Sequence, residues 1–155
     1  MVENRCDVLI YSTPILQQPL EIDGTMQVEL FVSCDRHDTD YAVRLCDIYP
    51  DGRSLIMTQG IRRARFRDSF SQETLMQPNQ IYKIVIELQN MAMTIMPGHR
   101  LRIDITGSDY PHFDLNLNNG GQMYAAGDTL IAHSKIYRDA AHPSSLVMQT
   151  PLATK

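Results

Sequence analysis

The residues of this 155-residue chain best suited to chemistry gather in one stretch, Ser108-Asp109-Tyr110-Pro111-His112-Phe113-Asp114-Leu115-Asn116. A serine nucleophile needs a neighbouring base and a tight, exposed turn. Ser108 stands between Gly107 and Asp109, but the stretch does not spell the G-x-S-x-G elbow. His99, His112, His133 and His142 would serve Ser108 as bases only if the fold happened to gather them, since such triads are set by geometry. The plainer reading is a serine that ends a strand, and no catalytic residue is assigned.

Metal chemistry has two openings. His112 and Asp114 are two apart and could share a strand face, while Asp35, Asp38 and Asp40 could offer oxygens to calcium from one loop. Neither matches a specific ligand spacing, and aspartate in a turn usually bonds its own backbone; no metal or other cofactor is assigned. In Ile61-Arg62-Arg63-Ala64-Arg65-Phe66-Arg67 a strand would put Arg63, Arg65 and Arg67 on one face. A nucleic-acid stripe would need more basic surface and stacking aromatics. A solvated or interdomain face whose arginines pair with carboxylates is expected instead. Tyr110 and Phe113 could stack on a sugar in a chain without tryptophan, but an interface accounts for them with fewer assumptions.

The elements that must carry these residues are strands. Pro97-Gly98 turns the chain into a strand with Leu101, Ile103 and Ile105 on one face and Arg100, Arg102 and Asp104 on the other, the two-residue alternation of a half-buried strand. It delivers the loop Ser108 to Gly121, a common way to build a contact site. Further strands are predicted over Asp7 to Ser12, Leu20 to Asp23, Thr25 to Cys34 and Tyr41 to Tyr49, the last closed by Pro50-Asp51-Gly52. Ser54 to Gln59 and Ile61 to Arg67 follow on either side of Gly60. Residues 68–78 could hold one helical turn. Gln80 to Gln89 places Tyr82, Ile84, Ile86 and Leu88 inward, and Met91 to Met96, Thr129 to Tyr137 and Leu146 to Gln149 complete the set. Many short strands, turn signals about every ten residues and no amphipathic helix indicate an all-β antiparallel sandwich or barrel.

The totals agree with one domain, 1–155, able to bury a sizeable core. The chain is 43% hydrophobic and 21% charged, with a net charge of −4, which argues against nucleic acid or an anionic membrane as the main partner. No apolar run reaches spanning length, and Met1 to Arg5 lacks a signal-peptide core, so the start is expected to be internal or engineered. Cys6, Cys34 and Cys46 cannot all pair, and Cys34 and Cys46 fall in strand runs as small hydrophobes. A reducing, cytoplasmic setting is expected. The tail 150–155 is expected to fray.

Seven segments, in order, resemble the C-terminal domain of the CocE/NonD type of serine hydrolases (cocaine esterase and Xaa-Pro dipeptidyl-peptidase). They are Asp7-Val8-Leu9-Ile10-Tyr11-Ser12, Asp38-Thr39-Asp40-Tyr41, Asp47-Ile48-Tyr49-Pro50-Asp51-Gly52-Arg53, Gly60-Ile61-Arg62-Arg63-Ala64-Arg65-Phe66-Arg67, Pro97-Gly98-His99-Arg100, Ser108-Asp109-Tyr110-Pro111 and Ala141-His142-Pro143-Ser144. The resemblance implies a jelly-roll sandwich of the galactose-binding-like type, packed on an upstream α/β-hydrolase domain that holds the whole Ser-Asp-His triad. It departs from the family where His112 stands for a commonly basic residue and where Leu115 and Leu117 stand for Arg and Pro.

The chain is thus expected to be a non-catalytic accessory domain that shapes one wall of the parent enzyme's cleft and could support a homo-oligomer. Its interface with the catalytic domain is placed at Ser108, Asp109, Tyr110, Pro111, His112, Phe113, Asp114 and Asn116, with an apolar rim at Tyr110, Phe113 and Leu115. The alternative is an independent carbohydrate- or small-ligand-binding module on the same scaffold, which fold alone does not decide.

Overall fold

The computed structural model describes Glu3 and residues 5–150; the expectation for the tail 151–155 lies outside the described residues. Among the described residues there are eight strands: β1 (Val8–Ser12), β2 (Leu20–Cys34), β3 (Asp40–Ile48), β4 (Ser54–Arg63), β5 (Tyr82–Ile95), β6 (Arg100–Thr106), β7 (Ser134–Tyr137) and β8 (Ser145–Met148). They form two antiparallel sheets, β1-β6-β3-β4 and β5-β2-β7, with β8 also pairing with β2. The fold is an all-β sandwich. No helix among the described residues is long and apolar enough to cross a membrane.

Alternation decides the packing. Met26, Val28, Leu30 and Val32 of β2 point inward and are buried against Ile84, Ile86 and Leu88 of β5 and Val43 and Leu45 of β3. Each such aliphatic side chain, fully buried, contributes on the order of 1.5–3 kcal/mol. Phe31 points outward, edge-on to His142. Cys34 is in the core cluster, whereas Cys46 is buried on the outer face of β3.

Several expected breaks are bridged. The runs ending at Gln89 and starting at Met91 are one strand, because the register with β2 shifts between Gly24 and Met26. That extra residue in β5 moves the inward set from Ile84, Ile86 and Leu88 to Met91, Met93 and Ile95, so the apolar side stays inside. β2 likewise runs straight through Gly24. β4 runs through Gly60, which pairs with Val43 on the inward face.

Two strands are shorter than expected. β4 ends at Arg63, and Ala64–Phe66 form a 3-10 turn because the Asp38 carboxylate accepts the Arg65 amide N–H at 2.9 Å. Residues 129–133 do not join β7: Leu130 donates to the Leu117 carbonyl, His133 donates to Asp35 and the Ile131 carbonyl accepts from Arg36. The segment 68–78 holds bends rather than a helical turn, and Met76 plugs it into the core.

Candidate functional site

The stretch read first in the sequence sits at the sandwich end where β3 begins and β4 and β6 finish. What organises this end is a set of charge pairs. Asp40 and Arg63 are register partners, and beyond the end of that ladder Asp38 and Arg65 form a second ion pair. Arg63 grips Asp40 through Nε and Nη2 at 2.9 and 3.0 Å. Arg65 Nε reaches Asp38 at 2.8 Å, and its Nη1 donates to Glu73 and to the Gly121 carbonyl. Asp38 is 0% and Arg65 4% exposed. Removing one member of such a buried pair strands the other charge and costs about 3–5 kcal/mol.

The loop is bolted to this base. Asn116 Nδ2 donates to Asp38 at 3.0 Å and to Asp40 at 2.7 Å, and Arg63 also donates to the Asp114 carbonyl. At the loop's start, buried Asp109 pairs with Arg44, whose strand position faces Asp104 of β6. The Asp109 main-chain carbonyl accepts the amide N–H groups of His112 and Phe113. Between these anchors Tyr110 is 70% and Phe113 37% exposed, and Leu115 is exposed beside them. The structure therefore divides the eight expected residues. Asp109 and Asn116 are internal anchors, whereas Tyr110, Pro111, His112, Phe113 and Asp114 face outward. Ser108 Oγ accepts the Tyr110 amide at 3.3 Å, a turn-forming contact.

The arginines do pair with carboxylates, as expected, but they do not form one exposed strand face. Arg65 lies in the turn and is buried, and Arg67 pairs with Asp68. The three aspartates weighed for calcium are likewise committed. Asp38 and Asp40 serve Arg65, Arg63 and Asn116, and Asp35 accepts the His133 amide, which holds its carboxyl below the usual range.

Three histidines lie near aspartates: His99 to Asp47 at 2.8 Å, His142 to Asp139 at 3.1 Å and His112 to Asp109 at 3.8 Å. Among the described residues no serine hydroxyl is hydrogen-bonded to a histidine ring. The His99 pair instead clips the opposite end of the sandwich, with the His99 ring 4.5 Å from Tyr49. Glu3, Cys46 and Asp104 bring ligand-type atoms within 4.8 Å of one another. Arg102 already holds Glu3 at 2.8 Å, and burial, helped by Asp104, pushes the Cys46 thiol up to about 11. Phe113 and Tyr124 line a hollow of about 180 Å3, smaller than the roughly 300–1,000 Å3 of ordinary ligand pockets.

Residues 2–147 match the family described as the X-Pro dipeptidyl-peptidase C-terminal non-catalytic domain. The chain belongs to this family. It is 36% identical over 149 residues to a cocaine esterase from Rhodococcus sp. (strain MB1 Bresler), covering 95% of this chain and 26% of that protein. Among solved structures, a selenomethionine-labelled α-amino acid ester hydrolase superposes with a TM-score of 0.92 at 30% identity, over 97% of this chain and 26% of that one. An aminopeptidase from the marine sediment archaeon Thaumarchaeota archaeon gives 0.91 at 26% identity, over 97% and 27%. The chain thus spans about a quarter of the length of these relatives, and it corresponds to a non-catalytic C-terminal domain of a CocE/NonD-type hydrolase.

What sequence reasoning missed is which carboxylates the arginines take and that these pairs are buried. The signal was present: Asp-x-Asp at 38–40 and Arg-x-Arg at 63–65 have equal spacing, as two antiparallel partners require.

Proposed function

We propose that this chain, as a single C-terminal domain, packs on the upstream α/β-hydrolase domain of its parent polypeptide and forms one wall of that enzyme's substrate cleft. The observation that carries this is the loop at 108–116. Its ends are fixed by the Arg44–Asp109 pair and by Asn116 on Asp38 and Asp40, while Tyr110, Phe113 and Leu115 stand exposed between them. A loop rigid at its roots and apolar at its crest suits an interface, because little ordering entropy remains to be lost on docking. Interfaces between domains of one chain bury roughly 600–1,500 Å2, so other surfaces must contribute as well.

In this reading Tyr110 and Phe113 are the anchors, His112 and Asp114 the polar rim, and Ser108, Pro111 and Asn116 shape the loop. The parent enzyme would act on esters or on Xaa-Pro amides, with its nucleophile outside this chain. The test is the double variant Tyr110→Ala/Phe113→Ala in the intact parent protein. The expected result is a single thermal unfolding transition that splits in two, with KM raised more than kcat is lowered. One unsplit transition with unchanged kinetics would overturn the proposal.

A further inference from the structure

We infer that the open long edge of the sandwich, the cleft between β1 and the β7/β8 pair, seats an apolar segment of the upstream hydrolase region of the same polypeptide. This rests on the packing proposed above and names a second surface for it. Two hollows lie along this edge, of about 520 Å3 and 220 Å3, and they share Ile105 and Ile136 as walls. Aliphatic side chains that would be core in a closed sandwich reach the surface here: Leu9 is 45% and Ile131 74% exposed at the rim of the larger hollow. Exposed aliphatic side chains flanking a concave surface mark a contact site. Among the described residues β1 makes no hydrogen bond to β7 or β8; Arg138 stacked 4.5 Å over the Tyr11 ring is what spans the gap.

The occupant follows from where the remaining polypeptide joins. The matched family is a C-terminal domain, and this chain accounts for 26% of its cocaine esterase relative. The rest of such a polypeptide arrives on the amino-terminal side, and Cys6 and Asp7 form part of the wall of the larger hollow. Upstream residues are thereby delivered to the mouth of the cleft at the high local concentration of a tethered partner. The walls ask for aliphatic or aromatic side chains, together with hydrogen-bonding groups for two buried oxygens that have no partner among the described residues, Thr106 Oγ1 and Asn118 Oδ1. Asn118, in the same wall, has its amide nitrogen on the Leu130 carbonyl, and its buried Oδ1 is without a partner.

The exposed native thiol of Cys6 reports on the cleft, with buried Cys34 and Cys46 as internal controls. In the intact parent protein, N-ethylmaleimide labelling mapped by peptide mass spectrometry is compared with labelling of the same protein unfolded in denaturant. Cys6 is expected to label at least about ten-fold more slowly in the native protein, because thiol reactivity follows access. Ile131→Asp, a change at an exposed side chain, is expected to restore most of that rate. Native labelling as fast as in the unfolded protein would overturn the inference, as would protection that Ile131→Asp leaves intact. Protection lost on dilution would assign the cleft to a second copy and would also overturn it. If Cys6 is unprotected while Tyr110→Ala/Phe113→Ala still splits the unfolding transition, the packing stands and this cleft alone is excluded.

Discussion

Along one long edge of the sandwich, β4 turns Thr58, Gly60 and Arg62 onto the backbone of β5; along the other, β1 stands away from β7 and β8 with Arg138 resting on Tyr11. At the first edge a Cβ added to Gly60 would lie 2.3 Å from the Glu87 carbonyl oxygen. Thr58 Oγ1 accepts the Gln89 amide at 3.0 Å, and Arg62 Nε donates to the Val85 carbonyl at 3.1 Å. Thr58 and Arg62 are polar where they bond the β5 main chain, and Gly60 leaves room for the Glu87 carbonyl and for the Ile86 and Leu88 side chains. At the second edge the inward positions are aliphatic or aromatic, and part of that surface has no cover among the described residues. The contrast separates an edge that closes among the described residues from one that stays open, and the open one is where the proposed packing would act.

The sharpest way to break the closed edge is Gly60→Val. A side chain forced against main chain cannot be absorbed by a rotamer change, so a loss of about 3 kcal/mol or more is expected in chemical denaturation. Thr58→Val keeps the shape but removes the partner of the Gln89 amide, and about 2 kcal/mol is expected by the same measurement. If either change proves neutral, the two sheets do not meet there as closely as described.

A smaller, pH-dependent effect is expected at Asp104 on β6, the strand that supports β1. Burial, with Glu3 adding repulsion, raises its carboxyl above the ordinary 3.8. The native state therefore holds this proton more tightly than the unfolded chain does, and the ionised carboxylate weakens the fold above the raised value. Asp104→Asn should raise the melting temperature at neutral pH, and the gain should vanish as pH falls below 3.8. A gain that persisted in acid would point to packing rather than charge. Smallest of all is Ile131→Ser at the open rim. With that side chain 74% exposed, the stability of this chain alone should change by no more than about 0.5 kcal/mol.

Much of the scaffold was legible because burial on one face writes itself as alternation, and β2, β5 and β6 carry it plainly. What alternation could not show was where a strand is re-phased. The extra residue in β5 made one strand read as two, and the inward glycine of β4 did the same. Nor could it show that Arg65 leaves the strand, since its place depends on Asp38, 27 residues away. At the candidate site, the loop and its exposed Tyr110 and Phe113 were readable from composition. That Asp109 and Asn116 face inward was not, because both roles rest on partners in β3 and just before it, supplied by the fold. The open edge was hidden for the same reason: Leu9 and Ile131 look like core residues in any window of sequence.

The central claim, that loop and cleft are covered in the parent enzyme, is tested most directly by hydrogen–deuterium exchange on the intact protein and on this chain alone. The account predicts that residues 5–12, 108–116 and 130–137 exchange at least about ten-fold more slowly in the intact protein, while the β4–β5 edge is unchanged. Equal exchange in both forms at 108–116 and along β1 and β7 would contradict it.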